Sequence, residues 1–446
     1  MINILYIAYQ FPPLNIGGSA RPAKFAKYLN DFGIHPIVVT LDSNDYSKVY
    51  PNPKSDSNLL KGYEDKLDVI EIPTEDLLQR SKNKIRNFLE IYFNIYRGNE
   101  KKYWEANYHK VIADYLKHNS VSAILVTAPP FSILPLAVKT SKTYKLPLIV
   151  DMRDPWTMWN MSPYSNYVNF LKAKYTERAV FKQARKIIAT SKVTLDDFKS
   201  LHPSIAKEKF VYIPNGFEHD VQFKSIAYKP KAKITIGYVG SFYYTPESRA
   251  QIMMKWYKKK AHRKLQYIPR KEDWLYRSPY MFFKALHQLF LESPELEDRI
   301  CIRFAGNREP WFDSMVSEYN LENNIEHLGW ISREASLEFQ ASCDFLLMTS
   351  AKVIGGRDYS IAGKTFEYFT IQKPILACVA DGAQKDVLEH SKMAHFIDVD
   401  NAKKAAKQLK DVFLTERTLR PNEAYINSFK VEELTKQLTD VIKSVI

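Results

Sequence analysis

The sequence predicts an α/β protein built from two doubly wound, parallel-sheet domains. Three observations carry this expectation. A strand-then-helix rhythm recurs along the chain, and its strands read as near-continuous Val/Ile/Leu runs. A turn-rich interruption at Tyr212–Gly216 is followed by a second start of the same rhythm. Unbroken apolar runs belong to strands covered on both faces, and their alternation with helix-length segments implies crossover connections.

The first series opens with Ile4–Ala8, a Pro/Gly-containing loop, and a helix on which Ala23, Phe25, Ala26 and Leu29 recur near the 3.6-residue period. Strands are expected at Pro36–Leu41, Leu67–Ile72, Ala123–Thr127, Leu148–Val150 and Lys186–Ala189. After Ile213, Pro214, Asn215 and Gly216, a Lys/Pro-containing linker runs to Lys233. The second series follows at Ile234–Val239, Ile300–Phe304, Ile325–Leu328, Phe345–Met348, Ile375–Ala377 and His395–Ile397. Arg333–Ala341 and Ala402–Phe413 read as helices between them. The expected domains are therefore 1–215 and 216–428. A lone amphipathic helix within 429–446, with Leu434, Leu438, Val441 and Val445 on one side, is expected to pack back on the first domain.

At 446 residues, 45% apolar and 26% charged, the composition is that of a soluble globular protein with room for two or three cores. The longest apolar stretch, Ser122–Val138, is interrupted by Pro129, Pro130 and Pro135 and makes a poor membrane span. Ile2–Tyr9 lacks the basic leader and cleavage site of a signal peptide. Cys301, Cys343 and Cys378 lie in apolar runs without metal-ligand spacing, which reads as reduced core thiols and a cytoplasmic protein. The net charge of +14 is uneven: Arg249–Lys284 holds eleven Lys/Arg against Glu272 and Asp273, and Arg80–Lys102 holds seven against Glu90 and Glu100. Such clusters attract nucleic acid, lipid headgroups or polyphosphates.

Chemistry-bearing residues gather where strands end. Gly17, Gly18 and Ser19 precede the first helix, where backbone N–H groups can approach an anion and Arg21 adds a full charge. Asp151, Arg153, Asp154 and Trp156 follow the strand Leu148–Val150 and suit a pocket for a hydroxyl-rich ligand. In the second series Gly240 and Ser241 end its first strand, at the carboxyl edge where parallel sheets bind ligands. Lys364 and Glu367, three apart on a helix that opens with Gly363 and includes Thr365, share a face. A carboxylate there can take a ribose diol while the ammonium faces phosphate. No His-Glu-X-X-His, Cys-X-X-Cys or Gly-X-Ser-X-Gly occurs. Asp398-Val399-Asp400 imitates a metal-binding Asp-X-Asp but reads better as a helix cap, so neither a metal nor a cofactor is expected.

In order along the chain, these motifs resemble glycosyltransferase family 4, in particular a bacterial branch with an Asp-X-Arg-Asp-Pro-Trp motif. The matching residues are the Pro12–Pro13 turn with Gly17–Gly18, Asp151–Trp156, Ile213–Gly216, His327–Ile331 and Lys364–Ala377. The resemblance implies the GT-B fold, two Rossmann-like domains facing a central cleft. It implies a sugar nucleotide held mainly by the C-terminal domain, with Glu367 on the ribose, and an acceptor held by the N-terminal domain. Gly17 and Gly18 would then face the diphosphate and the transferred sugar. Retaining, metal-independent transfer follows, the leaving phosphate helping to deprotonate the acceptor. Tyr359 occupies the position of a glutamate common in the family, and neighbouring Asp358 is taken as its substitute. Arg277, displaced by an apparent insertion at Phe242–Arg277, falls near the family's phosphate-contacting lysine. Arg153 and Asp154 are the remaining catalytic candidates, Asp154 toward the acceptor.

The expected activity is transfer from a nucleotide sugar to a glycan or lipid-linked saccharide, in bacterial surface polysaccharide synthesis. The basic segments 80–102 and 249–284 are expected to dock on an anionic membrane surface, with no nucleic acid bound. Two alternatives remain: a sugar-nucleotide epimerase of the same fold, and a non-enzymatic protein that binds anionic surfaces or nucleic acid.

Overall fold

The computed structural model describes residues 1–446 apart from 64–65, 77–83, 97–99, 160–162 and 219. The chain forms two compact units. The first comprises Met1–Asn215, Lys260–Pro269 and Val431–Ile446; the second comprises Gly216–Lys259 and Arg270–Lys430.

The first unit carries seven strands: β1 (Ile2–Ile7), β2 (Ile34–Leu41), β3 (Asp68–Ile72), β4 (Ala123–Ala128), β5 (Leu148–Met152), β6 (Lys186–Ala189) and β7 (Phe210–Tyr212). They form one parallel sheet in the order β3-β2-β1-β4-β5-β6-β7. Its helices are α1 (Ala20–Leu29), α2 (Tyr46–Val49), α3 (Lys84–Phe93), α4 (Glu100–His118), α5 (Leu134–Tyr144), α6 (Tyr167–Gln183) and α7 (Lys192–Leu201). Both faces of the sheet are covered. Leu5 and Ile7 of β1 enter one core with Val126 and Val150, while Ile4 and Tyr6 enter the other with Leu125 and Ile149. That two-sided burial is why the strands read as unbroken apolar runs.

The second unit repeats the plan. Its strands are β8 (Ile226–Tyr228), β9 (Ile234–Val239), β10 (Glu272–Asp273), β11 (Ile300–Ala305), β12 (Ile325–His327), β13 (Phe345–Thr349), β14 (Lys352–Val353), β15 (Ile375–Cys378), β16 (Ala394–Phe396) and β17 (Arg417–Leu419). A six-stranded parallel sheet runs β12-β11-β9-β13-β15-β16, and β10–β14 and β8–β17 are small antiparallel pairs. Between them lie α8 (Pro246–Met253), α9 (Tyr280–Glu292), α10 (Pro310–Glu318), α11 (Arg333–Ser342), α12 (Lys364–Ile371), α13 (Ala383–Ser391), α14 (Ala402–Leu414) and α15 (Glu423–Asn427). The architecture is thus α/β, with two Rossmann-like parallel-sheet units.

The last helix, α16 (Val431–Lys443), belongs to the first unit, where Leu434, Leu438 and Ile442 are buried with Ala23, Ala26 and Leu29 of α1. Lys260–Pro269 also joins the first unit, although the sequence placed it wholly in the second domain. The physical reason is a two-bond antiparallel bridge, Tyr164 N to Tyr267 O at 2.9 Å and Tyr267 N to Tyr164 O at 3.0 Å. The Tyr267 ring also lies 4.7 Å from Phe170 and 4.8 Å from Tyr167, centroid to centroid. No disulfide links the cysteines; Cys343 and Cys378 are buried and Cys301 is half-buried. Among the described residues no helix is long and apolar enough to cross a membrane.

Candidate functional site

In each sheet the strand order reverses direction once, between β1 and β4 in the first unit and between β9 and β13 in the second. Open α/β sheets bind ligands outside the carboxyl ends of their strands at such a point. The expected site residues divide accordingly. Gly17, Gly18, Ser19, Arg21, Asp151, Arg153 and Asp154 gather on the first unit; Gly240, Ser241, Arg277, Asp358, Gly363, Lys364, Thr365 and Glu367 gather on the second.

In the first unit Arg21 and Asp151 find each other rather than a ligand. Both are buried, and the guanidinium grips the carboxylate through Nε (3.0 Å to Oδ2) and Nη2 (2.9 Å to Oδ1). Nη2 also donates to Ile213 O, and Nη1 to Pro214 O at 2.7 Å and Asn215 Oδ1 at 3.2 Å. All five N–H donors of the arginine are thereby matched to protein acceptors. Thr127 Oγ1 donates to the same carboxylate at 2.8 Å. This corrects the substrate-contact expectation for both residues: they fasten the end of the first unit's chain segment to β5.

Arg153 holds three loops together. It donates to Gly18 O after β1, to Pro129 O after β4, and to Gln10 Oε1 at 3.0 Å. Burial works against its charge, and Asp151 and Asp154 support it. Gln10 in turn donates to Tyr50 Oη at 3.4 Å. A Cβ on Gly18 would stand 1.7 Å from Gln10 Oε1 and push that side chain aside; the same atom on Gly17 would meet nothing within 4 Å. Ser19, at the start of α1, is 1% exposed and its Oγ has no partner among the described residues. Asp154 is half-buried beside Arg153. Trp156 is no ligand wall: it is fully buried between Phe131 and Tyr96, with Nε1 donating to Ile95 O at 3.0 Å.

The sequence reading missed Gln10, Tyr50 and Glu100. Glu100 opens α4 and accepts from Ser132 Oγ at 2.6 Å, and burial raises its carboxyl above the usual range despite that bond. A carboxyl raised by burial marks an acid/base candidate. In the sequence it stood out only as one of two acids inside a basic segment.

In the second unit β9 ends at Val239, and Gly240 follows at φ +113. The Lys364 ammonium lies under this turn. It donates to Val239 O at 2.8 Å and sits 3.5 Å from the Tyr238 ring centroid. Burial first, and Arg277 second, bring its pKa down to about 7, while Glu367 pulls the other way. Glu367 lies one turn further along α12. Its Oε1 accepts from Nε2 of Gln340, a fully buried residue of α11 that also donates to Ser336 Oγ at 3.1 Å. Oε2 of Glu367 has no partner among the described residues. Gly363 and Ser241 are exposed at the same edge.

Two expectations on this unit are corrected. Asp358 is 0% exposed, and its carboxylate accepts from the Ser360 backbone N and Oγ, so it faces protein rather than a donor sugar. Burial raises it while Arg277 opposes that rise. Ser360 also receives Arg277 Nη2 at 3.0 Å, so Asp358 positions Arg277 indirectly. A Cβ on Gly382 would stand 2.4 Å from Asp358 O, which fixes glycine there. Thr365 is buried with Oγ1 donating to Gln384 Oε1 at 3.0 Å; it joins α12 to α13.

A cavity of about 380 Å³ at the carboxyl ends of β15 and β16 contains none of these residues. Its Lys352 and Lys404 are paired with Asp400 (2.6 Å) and Asp398 (2.9 Å), which leaves little charge for a ligand. Asp398 accepts from the backbone of Asp400 and Asn401, while Asn401 itself caps α14. Among the described residues no group of three His, Cys, Asp or Glu could hold a metal. Of the basic segments, residues 80–83 and 97–99 lie outside the described residues. Within the second segment Arg249 is fixed to Asp273 by two bonds, while Trp256 and Tyr257 are exposed among lysines.

No protein-family model matches the chain, and no curated protein matches it significantly. Solved structures do. The lipopolysaccharide outer core galactosyltransferase WaaB aligns over 100% of both chains at TM-score 0.57 and 13% identity. Sucrose-phosphate synthase from Thermosynechococcus elongatus aligns over 100% of this chain and 95% of its own, at 0.54 and 12%. A Listeria monocytogenes protein described as a UDP-N-acetylglucosamine 2-epimerase aligns over 99% and 96%, at 0.50 and 10%. At these identities the likeness is one of fold: this chain has the two-domain GT-B architecture shared by such enzymes.

Proposed function

We propose that the protein is a retaining, metal-independent glycosyltransferase of the family 4 type, which moves a sugar from a nucleotide donor to a glycan or lipid-linked saccharide. The observation that carries the reading is Glu367: one carboxylate oxygen is fixed by buried Gln340, and the other, one turn from Lys364, has no partner among the described residues. Fixed in this way, the free oxygen can accept from a ribose hydroxyl without reorganising. Lys364 and the N-terminus of α12 then face the diphosphate, with Gly240 and Ser241 allowing close approach. A bound diphosphate returns the proton that burial withholds from Lys364 in the free protein.

In the transfer itself the bond from the anomeric carbon to the phosphate oxygen breaks. A bond to the acceptor oxygen forms on the same face, and the acceptor's proton passes to the departing diphosphate. Arg277, held by Ser360, stabilises the charge that develops there. On the first unit the Gly17–Gly18 loop is offered to the donor, and Asp154 and Glu100 to the acceptor. The epimerase alternative is weakened because Asp151, one of the two carboxylates it had available, is locked to Arg21.

A place in surface polysaccharide synthesis at the cytoplasmic face of a membrane is part of the proposal. Exposed Trp256 and Tyr257 amid the 249–284 cations suit an anionic bilayer surface. Equal pelleting with neutral and anionic liposomes at low salt removes that part.

A thermal-shift panel of UDP-, GDP-, ADP- and dTDP-sugars tests the core of the reading. A donor at one hundred times its Kd stabilises by about 2.7 kcal/mol. One nucleotide class should raise the melting temperature in the wild type and fail to do so in Glu367→Ala. No response to any class, or an undiminished response in the variant, refutes it.

A further inference from the structure

At the amino edge of the first unit's sheet, opposite the loops described above, α5 and α6 end beside the starts of β5, β6 and β7. They border an open depression of about 560 Å³. Five cations line it, Lys142, Lys145, Lys182, Arg185 and Lys209, and no carboxylate does. Helix carboxyl ends attract cations, so the bland account is that these residues complement the two helix ends. The charges do not balance on that account. Two helix ends supply about half a negative charge each, roughly one in total, against five positive. Moreover Lys209 alone serves the end of α6, donating to the carbonyls of Ala184 (2.7 Å), Lys182 (3.0 Å) and Phe181 (3.5 Å). Burial first, and Arg185 second, lower its proton affinity, while Glu208 raises it. Lys142, Lys145, Lys182 and Arg185 are solvent-exposed, and among the described residues their side chains have neither an acid nor a hydrogen-bond acceptor.

We propose that this depression is a binding site for a small anion carrying two or more phosphate groups, distinct from the donor site. Its four unpartnered cations match the charge of a di- or triphosphate. Its volume lies in the range of small-ligand pockets, about 300–1,000 Å³. The five residues of β5 set it roughly 16 Å, at about 3.3 Å per residue, from the sheet edge that carries Asp151 and Arg153. The polar floor is ordered, since Gln183 Nε2 donates to Ser141 Oγ at 3.0 Å and Ser141 Oγ to Leu146 O at 2.7 Å. The phosphates could belong to a soluble metabolite or to a diphosphate lipid headgroup; the recognising chemistry is the same. The inference does not depend on the donor reading.

The test is calorimetric titration of the full chain with inorganic triphosphate. The variants are a cavity triple (K142Q, K182Q and R185Q) and a charge-matched control triple on exposed lysines elsewhere (K403Q, K407Q and K436Q). Expected is binding by the wild type that weakens with salt, with one site's worth of stoichiometry lost in the cavity triple and retained in the control triple. Equal stoichiometry and affinity in both triples, or no binding by the wild type, overturns the inference. Unchanged melting temperatures exclude misfolding. Sedimentation with phosphatidylcholine vesicles, with and without a polyprenyl diphosphate, separates the sources. Pelleting that needs the diphosphate lipid and is lost in the cavity triple assigns the site to a headgroup; triphosphate binding without pelleting assigns it to a soluble ligand.

Discussion

Arg21→Met should be among the most destabilising substitutions in the first unit, although its motif position suggested a ligand contact. The change removes a two-pronged grip on Asp151, a carboxylate 2% exposed. It leaves that charge with Thr127 Oγ1 as its remaining donor and strips Ile213 O and Pro214 O of theirs. Breaking a buried pair from one side costs about 3–5 kcal/mol, mostly the penalty on the abandoned charge. For a unit of this size, at about 2–4 °C per kcal/mol, the melting transition should fall by about 6–20 °C. Asp151→Asn alone should be comparably harmful, because it leaves a buried guanidinium half-matched. In the double variant much of the loss should return, with a coupling energy of at least about 2 kcal/mol. Scanning calorimetry, with hydrogen exchange on the β5 amides, measures all three variants. A single-variant cost under about 1 kcal/mol, or simple additivity, refutes the claim that the pair is structural.

The remaining predictions concern smaller groups. Lys364 has a folded-state pKa near 7 against 10.5 for the ordinary side chain, so its penalty on folding is complete below pH 7 and is relieved as pH rises toward 10.5. At about 1.4 kcal/mol per tenfold change in proton affinity the relief is at most about 5 kcal/mol, less for a half-buried group. Urea unfolding of Lys364→Met across pH 6–10 should lack the corresponding rise. Gly18→Ala should cost about 1 kcal/mol by driving Gln10 off Arg153, whereas Gly17→Ala should stay within about 0.5 kcal/mol, both read by thermal melting. Gln340→Leu should weaken donor binding several-fold with little change in stability, since it frees Glu367 while filling the same volume; the donor Kd decides it. Leu438→Ala on α16 should cost about 2–5 kcal/mol in chemical unfolding, as a buried leucine truncation.

The strands most legible in the sequence are those with both faces covered, such as β4 and β5, where every residue is buried, although the less buried β3, β12 and β16 were also found from their short apolar runs. The strand β7 was missed because three residues at the sheet edge, running into a turn, carry too little periodicity to be distinguished from it. At the site, residue types and their sheet edge were legible but their partners were not. Arg21 and Asp151 stand 130 positions apart, and Gln340 and Glu367 stand 27 apart. Whether a polar side chain serves a ligand or the protein depends on such pairings, and no local pattern encodes them. The same holds for Asp358, whose burial under Ser360 reversed the role its position suggested.

The path of the chain has a consequence for how the protein is made. It passes between the two units four times, and the first unit is completed only by Lys260–Pro269 and by α16 at the far end of the sequence. A nascent chain that has emerged as far as Asn215 already holds all seven strands of the first sheet. Yet Ala23, Ala26 and Leu29 of α1 still lack Leu434, Leu438 and Ile442. At about 5–20 residues per second the ribosome needs roughly ten seconds to three quarters of a minute to supply them. Throughout that interval an apolar helix face stays open to water and to chaperones, so the final helix acts as the latch on a domain whose sheet was finished long before.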